Sequence, residues 1–406
     1  MQRYDLIVCG AGPAGTMAAA TAARAGLKVA LLEKQVLPRH KTCGGGMPMV
    51  VERYLYDLAP EAFVESTVLY MRHTWDFEDA CVTPINPGGS DRPLSIWMAQ
   101  RPLFDNALAQ QAVRAGAELR DGLAVRSIEV QPAGVRVHAT GTGDRSRQPE
   151  FIAEADYLIG ADGANGITAK VANLRQQRVT ALAMEIEFPH CWGDGHPDLR
   201  PEIAHLEYNV RNGYAWAFPK VDHVNIGAIL FPARRQRLPN SDNLAQELKQ
   251  PIFGYLNALQ LPYQPDQLEF HAHPLPIWSG KERLQTADGR ILLAGDAAGL
   301  INPFFGDGIL HAVKSGVIAA NCIAAATPQQ YSDRIHTEFA ANMDAALNLA
   351  RFFYQFPGVC YKYGVKHPQA ARLATQLICG ELEFTNILGR SVRRVRRSMV
   401  TKLLPT

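Results

Sequence analysis

Three short, unbroken apolar runs in this chain each lead into a glycine-rich turn with a carboxylate close by. Leu6-Ile7-Val8, with polar residues before it, predicts a buried strand over 4–9. Gly10-Ala11-Gly12-Pro13-Ala14-Gly15 follows, then an alanine-rich helix to Arg24 or Ala25, a stop at Gly26, and a strand over 27–32 ending at Glu33. Tyr157-Leu158-Ile159 runs into Gly160-Ala161-Asp162-Gly163, and Ile291-Leu292-Leu293 runs into Ala294-Gly295-Asp296. The last turn continues through Phe304-Phe305-Gly306-Asp307-Gly308 into a helix over about 309–325. Between these runs the pattern alternates at 183–188, 204–209 and 223–230, which predicts an antiparallel sheet. Beyond Ala326 the period turns helical, over 331–356, 368–379 and 381–404.

The first unit has a specific physical reading. Gly10 permits a tight turn, Gly12 lets backbone approach a pyrophosphate, and Gly15 lets helix and strand pack closely. Free N–H groups at the helix start then face the phosphates. Glu33, 23 residues after Gly10, is placed to accept the ribose hydroxyls of an adenosine. That much fixes an ADP moiety and leaves FAD and NAD both open. The late turn favours FAD. A carboxylate at the strand end, Asp296, can hold a ribityl hydroxyl, and the helix start at 306–309 presents its positive end to a flavin's pyrimidine edge.

Together the three turns resemble those of the flavoprotein family that includes aromatic hydroxylases, flavin halogenases and geranylgeranyl reductases. The resemblance implies one FAD. It would be held by Gly10, Gly12, Pro13, Ala14, Gly15, Glu33 and Lys34 at the first turn, and by Asp162 and Gly163 at the central one. Asp296, Gly306, Gly308 and Ile309 complete the set at the late turn. It also implies that Arg101, opening a helix in Gln100-Arg101-Pro102-Leu103-Phe104-Asp105, reaches the flavin, and that Val125 contacts adenine through its backbone. An arginine is otherwise disfavoured at the positive end of a helix. The chain departs from the family pattern at Gly166, where serine is usual, and at Lys170, where arginine is frequent.

Two further stretches resemble the geranylgeranyl reductase branch, which saturates isoprenoid double bonds. One is Arg39-His40-Lys41-Thr42-Cys43-Gly44-Gly45-Gly46-Met47-Pro48. The other is Gly213-Tyr214-Ala215-Trp216-Ala217-Phe218-Pro219-Lys220, followed by Asn225-Ile226-Gly227. In a strand, Tyr214, Trp216 and Phe218 share one face and the two alanines the other, giving an aromatic wall suited to a long hydrocarbon. Cys43, Tyr214 and Trp216 are therefore the candidate catalytic residues, and Gly44 and Gly45 would let backbone approach the flavin. Lys220, after a proline at a strand end, reads as a solvated charge. His271 and His273 alternate without a third ligand, so no metal is expected.

The expected fold class is α/β: a Rossmann-like FAD-binding domain with an inserted antiparallel-sheet substrate domain and C-terminal helices. The FAD-binding domain is expected from 1–66, 98–175 and 281–330, the substrate domain from 67–97 and 176–280, and a helical region from 331–406. The expected activity is hydride transfer from reduced flavin to a prenyl double bond, with NAD(P)H or a ferredoxin as electron donor. An aromatic or polyketide monooxygenase of the same fold is the alternative, and a non-catalytic flavin electron carrier a third reading.

Composition changes this picture in three places. The 406 residues carry a net charge of +2, which gives no case for nucleic acid. Residues 390–406 hold six cations and no acid, leaving the remainder at −4. In that tail Leu388, Val392, Val395, Met399 and Leu403 fall on one side of a helix, with Arg390, Arg393, Arg394 and Arg397 opposite. Such a helix can lie on an anionic membrane surface. Seven scattered cysteines without CxxC pairs suit a reducing cytosol, so the expected location is cytoplasmic, with the tail peripheral to a membrane. The uncharged stretch 6–23 is too broken by glycine and proline to span one.

Overall fold

A computed structural model describes residues 2–86, 94–143, 146, 150–193, 196–232 and 241–387. Its first sheet is built around the strand Gln2–Cys9, which pairs in parallel with Val29–Leu32 on one side and Phe151–Gly160 on the other. Glu118–Arg120 extends the sheet beyond Val29–Leu32. The far edge of Phe151–Gly160 is shared: Ile291–Leu293 pairs in parallel with its end, and the hairpin Leu123–Gln131/Gly134–Gly141 pairs antiparallel with its beginning. The apolar runs are buried strands because the sheet is covered on both faces. The parallel strands all point the same way, so Cys9, Leu32, Gly160 and Leu293 bring their following turns to one edge.

Helices Pro13–Arg24 and Ile309–Ala324 pack side by side against that sheet. They approach so closely that a Cβ at Gly316 would stand 2.1 Å from the Ala14 carbonyl oxygen. Alanine and glycine at the contact make this possible, and it sets the two glycine turns next to one another.

The second sheet runs in the order His271–Pro276, Thr180–Pro189, His223–Leu230, Gly213–Pro219, Ile203–Val210, Tyr70–Thr74, Cys81–Pro84. It is antiparallel as expected, except where Ile203–Val210 meets Tyr70–Thr74 in parallel. Met184, Ile186, Ala215, Ala217, Ile226 and Ala228 cover one face together with helix Ser241–Ala258. That helix lies inside a stretch expected to be strand-rich. Leu244, Leu248, Ile252, Tyr255 and Leu256 form its buried stripe, and Pro251 sits within it.

Gly46–Pro48 and Val64–Val68 flank Ile96–Ala99 in a small third sheet between the two larger ones. In the C-terminal region the helix expected over 331–356 is two helices, Tyr331–Ile335 and Ala341–Gln355, joined by the π-helical turn His336–Ala340. Pro368–Ile378 is helical as expected. The basic amphipathic stretch from Leu388 onward lies outside the described residues. Among the described residues no helix is long and apolar enough to cross a membrane.

Candidate functional site

The turns at the strand ends open onto a single cavity of about 680 Å³. At its nucleotide end, Gly10 has φ +101° and a Cβ there would lie 2.3 Å from the Ala161 carbonyl oxygen. A Cβ at Gly15 would lie 1.8 Å from the Gly10 carbonyl oxygen, so Gly15 serves packing and does not line the cavity. Gly12 is different: the nearest atom a Cβ would meet is Arg39 Nη2 at 4.0 Å. The open space lies in front of helix Pro13–Arg24, whose N-terminus has no side-chain cap. This cradle fits the diphosphate of a dinucleotide.

Glu33, 4% exposed, accepts the Ala11 N–H at 2.9 Å and the Gln35 N–H at 3.1 Å, and its Oε1 stands 3.4 Å from Arg39 Nε. Arg39 Nη1 also reaches Asp105 Oδ2 at 3.0 Å. Asp105, wholly buried, accepts both Arg101 Nε and Nη2 at 2.8 Å. This pairing, one turn along the helix Arg101–Arg114, explains how a cation sits at a helix start. Arg101 lines the cavity, as do Pro13, Ala14, Lys34 and Val125.

At the central turn, Asp162 Oδ2 accepts the Thr168 N–H at 2.9 Å and the Thr168 hydroxyl at 2.8 Å. Its Oδ1 is buried without a partner, and burial pushes the carboxyl pKa up. A Cβ at Gly166 would stand 2.0 Å from Asp162 Cγ. The departure from serine therefore has a local cause: this Asp162 rotamer occupies the space of a side chain at 166. Lys170, the other departure, is exposed. Asp296, Gly306, Gly308 and Ile309 line the cavity opposite, where helix Ile309–Ala324 begins at Gly308 without a side-chain cap.

The middle of the cavity is bounded by the loop Cys43-Gly44-Gly45, which is fastened to the second sheet at two points. Glu185 Oε1 accepts the Cys43 N–H at 2.7 Å. Lys220 Nζ donates to the Gly44 carbonyl at 2.7 Å and to the Ala99 carbonyl at 3.0 Å. Lys220 is only 2% exposed, so the expectation of a solvated charge is wrong. Two backbone carbonyls converge on its ammonium, and burial lowers its pKa from 10.5 to about 8. The glycines serve this packing too. A Cβ at Gly44 would meet Phe218 Cδ2 and Trp216 Nε1 at 3.0 Å, and one at Gly45, where φ is +69°, would meet the Ala99 carbonyl oxygen at 2.0 Å.

Beyond the loop lies an aromatic chamber. Tyr214, Trp216 and Phe218 face the cavity while Ala215 and Ala217 pack on the opposite side, as the alternation predicts. Trp216 Nε1 donates to Asn225 Oδ1 at 2.8 Å, the Tyr214 hydroxyl donates to the Phe305 carbonyl, and the Tyr354 hydroxyl donates to the Phe304 carbonyl at 2.6 Å. Each polar tip is thus bonded at the wall, and burial raises the pKa of both tyrosines. His73 Nδ1 meets the Tyr208 hydroxyl at 3.0 Å and its Nε2 meets Thr83 Oγ1 at 3.1 Å. Burial lowers its pKa to about 4, keeping it neutral. His273 also lines the cavity, whereas His271 packs against His40 with ring centroids 4.4 Å apart and planes tilted by 41°.

The cavity thus gathers every expected site residue except Gly15. The carboxyls of Glu185 and Asp307 also line it, and Lys220 is bonded to the loop that bounds it. Burial raises the Glu185 carboxyl to about 7 and that of Asp307 to about 6. Glu185 carries no sequence signal of this burial, since it alternates with the apolar Met184 and Ile186.

The FAD binding domain family matches residues 3–346, and the chain belongs to that family. Among curated proteins it is similar to digeranylgeranylglycerophospholipid reductase 1 of Methanosphaera stadtmanae, 26% identical over 100% of this chain and 94% of that one. It is also similar to the chloroplastic geranylgeranyl diphosphate reductase of Oryza sativa, 28% identical over 80% of this chain and 67% of that one. Among solved structures, a geranylgeranyl bacteriochlorophyll reductase-like protein from Thermoplasma acidophilum superposes with a TM-score of 0.73 at 20% identity, covering 95% of this chain and 93% of that one. A flavin-dependent brominase superposes with a TM-score of 0.71 at 16% identity, covering 98% of this chain and 100% of that one. Both structures share the fold.

Proposed function

We propose that the protein is an FAD-dependent reductase that saturates carbon–carbon double bonds of a geranylgeranyl or related prenyl chain. The observation that carries the reading is the continuity of one cavity, from the glycine cradle to an aromatic chamber whose polar tips are all turned into the wall. The relatives named as geranylgeranyl reductases support it. Bound FAD, once reduced, supplies a hydride. The expected contacts at 10, 12–14, 33–34, 43–45, 101, 125, 162–163, 296, 306 and 308–309 are the proposed FAD set, with Gly15 serving the packing behind them, and the expected domain division is kept. Tyr214 and Trp216 present apolar faces to the chain and exclude water from the reacting bond. Cys43 stands at the junction of cradle and chamber. NAD(P)H or a ferredoxin is the proposed electron donor.

A long prenyl chain partitions into membranes. The basic tail is the proposed means of approach to an anionic membrane from the cytoplasm. Organic extraction of the purified protein followed by mass spectrometry tests the substrate class directly: a co-purifying prenyl lipid is expected, and a bound aromatic polyketide would favour the monooxygenase reading instead.

A further inference from the structure

Reducing an isolated alkene requires a proton as well as a hydride, and the chamber holds few groups able to give one. The Tyr214 and Tyr354 hydroxyls spend their protons on the Phe305 and Phe304 carbonyls. His73 is bonded through both ring nitrogens. Asp162, Glu33 and Asp296 lie at the nucleotide turns, and Asp307 lies at the late turn, two residues before the 16-residue helix Ile309–Ala324. Glu185 remains. It lines the cavity, is 1% exposed, and is fixed at 2.7 Å on the backbone N–H of Cys43. Asn225, which receives the Trp216 indole N–H, hydrogen-bonds the Glu185 side chain from the neighbouring strand.

From this geometry we propose that Glu185 is the acid that protonates the alkene carbon not attacked by hydride. The proposal rests on the reductase reading above. In the step, a hydride supplied by bound reduced FAD would form one new C–H bond, its loss leaving the flavin oxidised. The π electrons of the alkene form the second C–H bond as the Glu185 O–H bond breaks. The Glu185 carboxylate then takes a proton from solvent. Glu187, two residues along on the same face of the strand, stands 3.6 Å from His40 at the surface and offers a route.

The charged and titratable groups around Glu185 are Lys220 from the end of the aromatic strand, Cys43 from the loop, Glu187 from its own strand and His271 opposite it on the edge strand. Burial is the largest influence and keeps the carboxyl protonated to about pH 7, a neutral acid near working pH. The active form is the protonated one, so activity falls as pH rises through that value.

The test uses the FAD-loaded protein, reduced anaerobically and mixed with a geranylgeranyl lipid. In Glu185→Gln, which keeps an oxygen for the Cys43 N–H, flavin reoxidation should slow about 10²–10⁴-fold while FAD content and absorption spectrum stay unchanged. Wild type should lose rate above neutral pH, and Glu185→Gln should lack that limb. Infrared difference spectra, wild type against variant, should show one protonated carboxyl titrating near neutrality, a readout independent of turnover. A Glu185→Gln enzyme with wild-type rate and pH profile overturns the proposal, as does absence of the carboxyl band. If wild type itself is not reoxidised by any prenyl lipid, the reductase reading falls first and the role of Glu185 with it.

Discussion

Replacing Lys220 by methionine separates a structural charge from a site-forming one. The ammonium holds two buried carbonyls, Gly44 and Ala99, at 2.7 and 3.0 Å. Leaving each unpaired costs about 1–3 kcal/mol. Against this, the fall in pKa from 10.5 to about 8 means that keeping the charge in place costs about 3 kcal/mol relative to water. The two effects largely offset, so Lys220→Met should change global stability by no more than about 3 kcal/mol. The damage is local. The Cys43-Gly44-Gly45 loop loses one of its two fastenings to the sheet, and FAD affinity should fall about 10- to 100-fold, equivalent to about 1.4–2.8 kcal/mol. The sign of the pH dependence follows from the lowered pKa. Stabilisation from this group is complete above 10.5 and is lost as pH falls towards 8. Wild type should therefore gain stability relative to the variant between those values. Flavin-fluorescence titration and thermal melting across pH measure both effects. Wild-type FAD affinity in a folded Lys220→Met protein would refute the idea that this lysine shapes the cofactor site.

Glu33→Ala should weaken FAD binding, at about 1.5–3 kcal/mol for each charge-assisted hydrogen bond lost, and equilibrium titration checks it. Unchanged affinity would mean that the first turn is misassigned. Trp216→Ala should impair turnover of prenyl substrate with FAD still bound, and loss of flavin with unchanged specificity would make the strand structural. Glutamine at Arg393, Arg394, Arg396 and Arg397 should abolish a salt-sensitive binding to anionic liposomes, and equal sedimentation of both proteins at low salt would remove the tail from membrane approach.

The glycine turns were legible because their rule is local: a buried strand, a turn that admits no Cβ, and a helix start. The Tyr214–Phe218 alternation was legible for the same reason, since a strand sends neighbouring residues to opposite faces. Lys220 was not. Its burial depends on carbonyls 176 and 121 residues away in sequence, and next to a strand-end proline it has the look of any surface charge. Glu185 stands out of phase with Met184 and Ile186, so alternation alone assigns it to water. It is buried because the other face of that sheet closes over the cavity. The helix Ser241–Ala258 shows its period in Leu244, Leu248, Ile252, Tyr255 and Leu256, but Pro251 and the flanking strands hide it.

The most direct test of the account is one anaerobic turnover. Protein carrying chemically reduced FAD is mixed with a geranylgeranyl lipid in the absence of oxygen, while flavin absorbance is followed and the lipid is weighed by mass spectrometry. The account predicts reoxidation of the flavin in step with a gain of two hydrogens for each double bond lost. Flavin that stays reduced until oxygen is admitted, with the prenyl chain unchanged, would contradict it.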